Sequence, residues 1–283
     1  MMNLKIGMLS LAMVCGTALG QTAASAHMGT LNDVEGQASI EGRMISPRSS
    51  GTVGLEAGQV LATANGKAEI LLTPGVFLRV GVESTLEMVT PELLHTEVRL
   101  QRGRAEVEVD KIDPSNRILV DLPHGQAQLL ERGLYSFDAE SGLVRVFDGK
   151  ASVYPGENLK TDVRPIEVKG GRELVIAGLD AKPQRFDRNQ AVDDLYRWGS
   201  LRAKYLEDAN RNLTTEYAGG NYYPGWYWAG GPYGYTWWPG AGLGWSPYGY
   251  GFYSPYAFYG GGFYYGGGYG RGFGGGGFRG GRR

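Results

Sequence analysis

The chain has 283 residues, with 28 Lys+Arg against 29 Asp+Glu and a formal net charge of -1. That length suffices for one or two domains with cores of their own, and the balanced charge argues against electrostatic capture of nucleic acid or of an acidic membrane. Gly, at 47 residues, stands at more than twice its usual share of about 7%, while one Cys and 3 His exclude a cysteine-rich zinc site and an intramolecular disulfide.

The chain opens with a single early charge, Lys5, and then runs apolar from Ile6 to Leu19, short of the ~20 residues that span a bilayer as a helix. Ala24-Ser25-Ala26 is the small-x-small pattern that signal peptidase reads. Residues 1–26 are therefore expected to be a secretory signal with His27 as the mature start; the other reading is an uncleaved anchor. Cys15 lies inside the apolar run behind Val14, where a lipoprotein signal would place a small residue, so lipidation is not expected. After cleavage the mature chain would hold no cysteine and no transmembrane span. That suits an exported protein of the periplasm, outer cell surface or extracellular space.

Residues 27–182 read as β. Short apolar alternations such as Ala68–Leu72, Val76–Val80, Arg104–Val109, Leu134–Phe137 and Leu143–Phe147 are punctuated by Gly, Pro, Asn and Asp. Asn65-Gly66 and Asp148-Gly149 carry the signal of two-residue hairpins, and Thr73-Pro74-Gly75 and Glu140-Ser141-Gly142 read as further turns. A pattern of Gly, long polar residue, Ala, any residue and aliphatic starts at Gly36, Gly66, Gly103, Gly125 and Gly149. Gly would make the turn, Ala and the aliphatic would face the core, and the polar residue and fourth position would face water. The expected fold is all-β, with stacked or sandwiched antiparallel strands.

The order of these motifs carries a resemblance. Val34-Glu35-Gly36-Gln37-Ala38, the stretch from Leu61 to Ala68, Leu78-Arg79-Val80-Gly81, the stretch from Leu100 to Ala105, Gly133-Leu134-Tyr135-Ser136-Phe137 and the stretch from Val144 to Val153 together resemble the FecR-type periplasmic domain, over roughly residues 27–155. The resemblance implies an all-β periplasmic domain that binds partners and has no catalytic activity. Two features depart from the family. The cytoplasmic segment that handles a sigma factor, with its membrane span, is not found, which puts direct transmission across a membrane in doubt. Leu134 also stands where the family usually has Thr.

Residues 183–216 change period. Phe186, Leu195, Trp198, Leu201 and Tyr205 fall near helical spacing, with Asp187 and Gln190 as a capping box and Asp193 and Asp194 near the positive end of the helix dipole. An amphipathic helix is expected, packed across the sheet or docking a partner. Phe186-Asp187-Arg188 before such a helix, with an aromatic-Gly tail behind it, is similar to exported FecR-like proteins.

Residues 217–283 contain no Asp, Glu or Lys, only Arg271, Arg279, Arg282 and Arg283 among Gly, Pro and aromatic residues. With aliphatics nearly absent, a disordered or loose Gly-rich low-complexity tail is expected. Its exposed aromatic faces, Trp226, Trp228, Trp237, Trp238 and Trp245, are the candidate contacts for sugar rings or amines; self-association through the tail is the structural alternative.

No catalytic, cofactor or metal site emerges. The three His are scattered and no Ser or Cys sits in a nucleophile motif. Glu106, Glu108 and Asp110 share one strand face, which reads as a solvated face paired across strands with Arg99, Arg102 and Arg104. Two function classes follow. In the first, the chain is an exported, non-enzymatic binding or sensory module of the cell envelope with no cofactor, whose partner is an envelope protein or surface polysaccharide. In the second, it is a surface or matrix structural protein whose tail adheres to carbohydrate or self-associates.

Overall fold

The computed structural model describes residues 26–156, 164–216, 223–240 and 242–255. The segment expected to be a signal lies outside them except for Ala26, as do residues 256–283 with their four arginines.

The strands fall where the alternation places them. In chain order they are β1 (Leu31–Glu35), β2 (Ala38–Ile40), β3 (Arg43–Ile45), β4 (Val60–Thr63), β5 (Lys67–Thr73), β6 (Val76–Val80) and β7 (Thr85–Pro91). Then come β8 (His95–Arg102), β9 (Arg104–Val109), β10 (Arg117–Leu122), β11 (Gly125–Leu129), β12 (Gly133–Asp138) and β13 (Leu143–Asp148). The series continues with β14 (Lys150–Pro155), β15 (Ile166–Lys169), β16 (Arg172–Val175) and β17 (Gln184–Arg185).

They build two sheets. One is eight-stranded, in the order β1-β5-β6-β9-β12-β13-β16-β17; the other is nine-stranded, in the order β15-β14-β11-β10-β8-β7-β4-β2-β3. All pairs are antiparallel except β8 with β10. Parallel neighbours need a crossover, and here the crossover is β9, which lies in the opposite sheet. One face of each sheet supplies the core between them: Ile70, Leu78, Val107, Phe137 and Val146 from the first, Leu86, Val98, Val120, Ala127 and Val153 from the second. The fold is all-β.

The recurring glycine pattern has a different job from the one expected at Asn65-Gly66 and Asp148-Gly149. Thr73-Pro74-Gly75 and Glu140-Ser141-Gly142 do close hairpins, between β5 and β6 and between β12 and β13. By contrast, β4 and β5 lie in different sheets, and so do β13 and β14. Only Gly149 separates β13 from β14, too short a link to reverse the chain within one sheet, so the strand turns a corner into the facing sheet. Gly36 and Gly103 make the same kind of corner, while Gly125 opens a strand that pairs back on β10. Gly149 has φ +91, and a Cβ there would overlap the Tyr135 hydroxyl. That hydroxyl donates to the Glu131 carbonyl at 2.5 Å and accepts from the Lys150 N–H at 3.1 Å, locking the corner.

A third layer covers the outer face of the eight-stranded sheet. A short helix, α1 (Arg188–Ala191), is capped by the Asp187 carboxylate, which accepts from the Asn189 N–H. The long helix α2 (Asp194–Glu216) begins separately, with Asp193 accepting from the Tyr196 N–H at 2.9 Å. The start expected at Asp187 and Gln190 thus belongs to α1. The buried stripe of α2 is Leu195, Trp198, Arg202, Leu206, Ala209 and Asn210. Leu201 and Tyr205, expected within it, are 46% and 41% exposed: the helix turns Arg202 inward to the charged sheet and Asn210 inward to the hairpin backbone.

Behind α2 the glycine-rich region folds into two hairpins, β18 (Gly225–Trp228) with β19 (Tyr235–Trp238), and β20 (Leu243–Trp245) with β21 (Gly251–Tyr253). The loose coil expected of residues 217–283 is therefore corrected for 223–240 and 242–255. Aromatic side chains bury roughly 150–250 Å² each, so a few at period-two spacing seal a layer without aliphatics.

Substituting Gly149→Ala is expected to destabilise the fold by on the order of 1–3 kcal/mol. Gly171→Ala, at φ +78 but facing open space, should cost about 1 kcal/mol or less. Urea denaturation of the two variants separates steric overlap at the corner from backbone conformation alone.

Candidate functional site

On β5, β6 and β9 and just after β9, five charged residues that point away from the sandwich core do not meet water, while Lys67 and Arg104 at the edge of that face stay partly exposed. Glu69, Arg79, Glu106, Glu108 and Asp110 are all buried beneath α2 and the hairpins. The solvated face expected for Glu106, Glu108 and Asp110 is thus corrected, as is the outward fourth position of the repeat at Glu69 and Glu106. Strand alternation put these side chains on one face; the third layer took that face out of water. The expected partners are also elsewhere. Arg99 binds Glu87 at 2.9 Å and Asp121 at 3.3 Å, Arg102 lies 3.8 Å from Glu140, and Arg104 binds Asp193 at 2.6 Å.

Arg79 is the centre of the buried cluster. Its guanidinium lies 2.8 Å from Glu69 and 2.6 Å from Glu108, and all three side chains are sealed. From above, Arg202 on α2 reaches Glu69 at 2.9 Å and donates to the Tyr233 carbonyl at 2.9 Å. Asn32 completes this end: its amide donates to Glu69 at 2.8 Å and to the Tyr235 carbonyl at 3.1 Å, and its oxygen accepts from the Tyr235 N–H at 2.6 Å. The hairpins supply the other donors. Tyr248 donates to Glu106 at 2.9 Å, Trp237 Nε1 to Asp110 at 2.9 Å, and the Ser246 hydroxyl to Glu108.

Four carboxyls thus face two guanidiniums, and the local fields sort them. Burial opposes charge on Glu69, but Arg202 and Arg79 outweigh it and hold the carboxyl below its ordinary value. Burial pushes Glu106 up to about 8, against the pull of the Tyr248 hydrogen bond. Asp110 is pushed well above its ordinary value by burial and by the adjacent Glu108. Near neutrality Glu106 therefore holds its proton, Asp110 keeps its own to higher pH than a free carboxyl, and Glu69 stays ionised between Arg79 and Arg202.

The five tryptophans expected to be exposed contacts divide. Trp237 and Trp238 are buried; Trp237 packs with Leu71, Phe77, Leu206, Tyr235 and Phe252. Trp226 and Trp228 are half-buried against the same cluster, with Trp226 edge-on to Phe77 at 5.1 Å. Trp238 stacks against Tyr227, with ring centroids 3.8 Å apart. Trp245 alone of the five stays largely open, at 47%. The hairpin was legible in the alternation of Trp226, Trp228, Tyr235 and Trp237 about Gly230-Gly231, a period-two signal that the glycine content masked.

Among the described residues, the opposite side of the sandwich carries no such layer. On the outer face of the nine-stranded sheet, Arg99 is exposed and pairs with the partly buried Glu87 and the buried Asp121, to which the buried Gln126 donates at 2.7 Å. Among the described residues, no group of three or more His, Cys, Asp or Glu side chains is placed to hold a metal ion, and no helix is long and apolar enough to cross a membrane.

No family model and no curated protein matches the chain. Two crystal structures of a protein of Parabacteroides distasonis described as a candidate anti-sigma factor, at 2.50 and 1.65 Å, are similar to it. Sequence identity is 15% and 14%, over 46% of this chain and 61% of theirs, with a TM-score of 0.38 in each case. This chain thus spans about three-fifths of the length of those neighbours.

Replacing Arg79 by Met leaves Glu69 and Glu108 without their shared cation, and breaking a buried ion pair from one side costs about 3–5 kcal/mol. Urea denaturation of this variant should show a loss of that size. A chain ending at Glu216 loses both hairpins and uncovers Leu71 and Phe77; dye binding to exposed apolar surface should rise in it and not in a chain ending at Pro255.

Proposed function

We propose that the protein is an exported, non-enzymatic FecR-like binding or sensory module of the cell envelope, which meets a protein partner through the open face of its nine-stranded sheet. One observation carries this reading: among the described residues, the chain covers one face of its sandwich with its own helix and hairpins and places no such layer on the other. The exposed Arg99 there, held by Glu87 and backed by the buried Asp121 and Gln126, offers a charge that can exchange partners across an interface. The carboxylates that most resemble catalytic acids, Glu106, Glu108 and Asp110, are sealed beneath the third layer and line no cleft a substrate enters. The adhesive reading of the tail loses Trp237 and Trp238 as stacking faces and rests on Trp245, on Tyr223 at 78% exposure and on residues 256–283.

Export predicts that the secreted or periplasmic chain begins at His27, which N-terminal mass spectrometry reads directly. Co-sedimentation with purified envelope fractions tests the binding face. The full chain and a chain ending at Pro255 should pellet equally, and Arg99→Glu should lower the pelleted fraction several-fold. Pelleting by the full chain alone would move the function to residues 256–283. Absence of pelleting by either would remove the proposal.

A further inference from the structure

The layer formed by α2 and the two hairpins is attached to the sheet through ionisable groups beside the apolar floor of Leu71 and Phe77. On the sheet side stand Glu69 of β5, Arg79 of β6, and Glu106, Glu108 and Asp110, which follow one another along the outward side of β9. β1 contributes Asp33, 3.4 Å from Arg202. On the layer side, α2 presents Arg202, and the hairpins present Trp237, Ser246 and Tyr248. Asp193, bound to Arg104 at 2.6 Å, adds a further negative charge that acts on Glu106. At the start of α2, Lys67 binds Asp194 at 2.8 Å.

Two guanidiniums cannot neutralise every carboxyl of this sealed set. Asp110 lies beside Glu108, and its Oδ1 has no hydrogen-bond partner outside that acid pair, so a proton kept on Asp110 is what makes their contact attractive. Glu106 faces Tyr248, whose hydroxyl is itself held well above its ordinary value by burial and by Glu106; it stays protonated and offers no positive charge. Remove the protons from Glu106 and Asp110, and like charges crowd a space closed to water.

We propose that the helix and hairpin layer is a proton-held strap, closed over the eight-stranded sheet in mildly acidic solution and loosened as alkaline solution strips the protons from the β9 carboxyls. The direction follows from linkage. An acid that binds its proton more tightly in the closed state supports closure fully below its unstrapped value and loses that support as pH rises. For Glu106 the window runs from the ordinary 4.5 to about 8, and Asp110 acts in the same sense. Glu69, held low by Arg202 and Arg79, stays ionised throughout and adds no slope there. Loosening uncovers Leu71 and Phe77, the apolar floor beneath Trp237. This device does not depend on the envelope-binding reading.

The test compares hydrogen-exchange protection factors and tryptophan fluorescence of the full chain at pH 5.5 and pH 9. Protection in α2 and in Tyr235–Trp238 should fall at least ten-fold at the higher pH, with red-shifted emission, while β7, β8 and β10 of the other sheet keep theirs. The double variant Glu106→Gln, Asp110→Asn copies the protonated shapes and should hold the layer closed at both values. Protection unchanged within two-fold in the natural chain overturns the proposal, as does a loss shared equally by both sheets or one that persists in the double variant. Should the double variant fail to fold by circular dichroism, Glu106→Gln alone must lessen the loss; failure of both neutral mimics to fold would equally overturn it.

Discussion

Everything on the outer side of the eight-stranded sheet is arranged around one buried guanidinium. Arg79 sits between Glu69 and Glu108 with no access to water, and a charge so placed is tolerable only while its partners stay within contact distance. Sealing it requires a third layer, and that layer must itself bring donors and cations, since an apolar cover would leave the carboxylates unmatched. This is why α2 turns Arg202 inward and why Trp237, Ser246 and Tyr248 point their polar ends at β9. The cover and the charge beneath it are one design. Asn210 extends the same logic, donating to the carbonyls of Trp237 and Tyr253 and accepting from the Tyr253 N–H, so that the helix and both hairpins behave as a single piece.

The sandwich beneath depends on corners. Because the chain repeatedly switches sheets through very short glycine links, neighbours in sequence end up facing each other across the core, and neighbours in a sheet come from distant parts of the chain. Such a topology closes many non-local contacts together. It also places Glu69, Arg79 and Glu106 on three adjacent strands, since β6 pairs with both β5 and β9. The register sets Arg79 opposite Glu69 on one side and Glu106 on the other, and the length of the arginine side chain lets it reach on to Glu108.

The two faces of the molecule consequently have different chemistry. One is committed to internal contacts, with aromatic side chains as filler and ionisable groups as attachment. The other presents the exposed Arg99, paired with Glu87 and Asp121, along the nine-stranded sheet. The glycine-rich composition that suggests an adhesive tail serves, over residues 223–240 and 242–255, to turn tight hairpins whose tryptophans become part of the interior.

Local pattern alone determined the all-β class, about half of the strand positions, the hairpins at Pro74-Gly75 and Ser141-Gly142, and the presence of a helix behind the strands, because alternation and turn chemistry are properties of neighbouring residues. It also showed that Glu106, Glu108 and Asp110 share a face. What covers that face was not a local property. A carboxylate on a strand looks the same in sequence whether water or an arginine from a helix far along the chain sits above it. Asp148-Gly149 likewise has hairpin chemistry in isolation, and the facing sheet decides that it is a corner. Tertiary structure alone decided the fate of the tryptophans, since burial depends on finding Leu71 and Phe77 on a sheet that the sequence separates from them by well over a hundred residues.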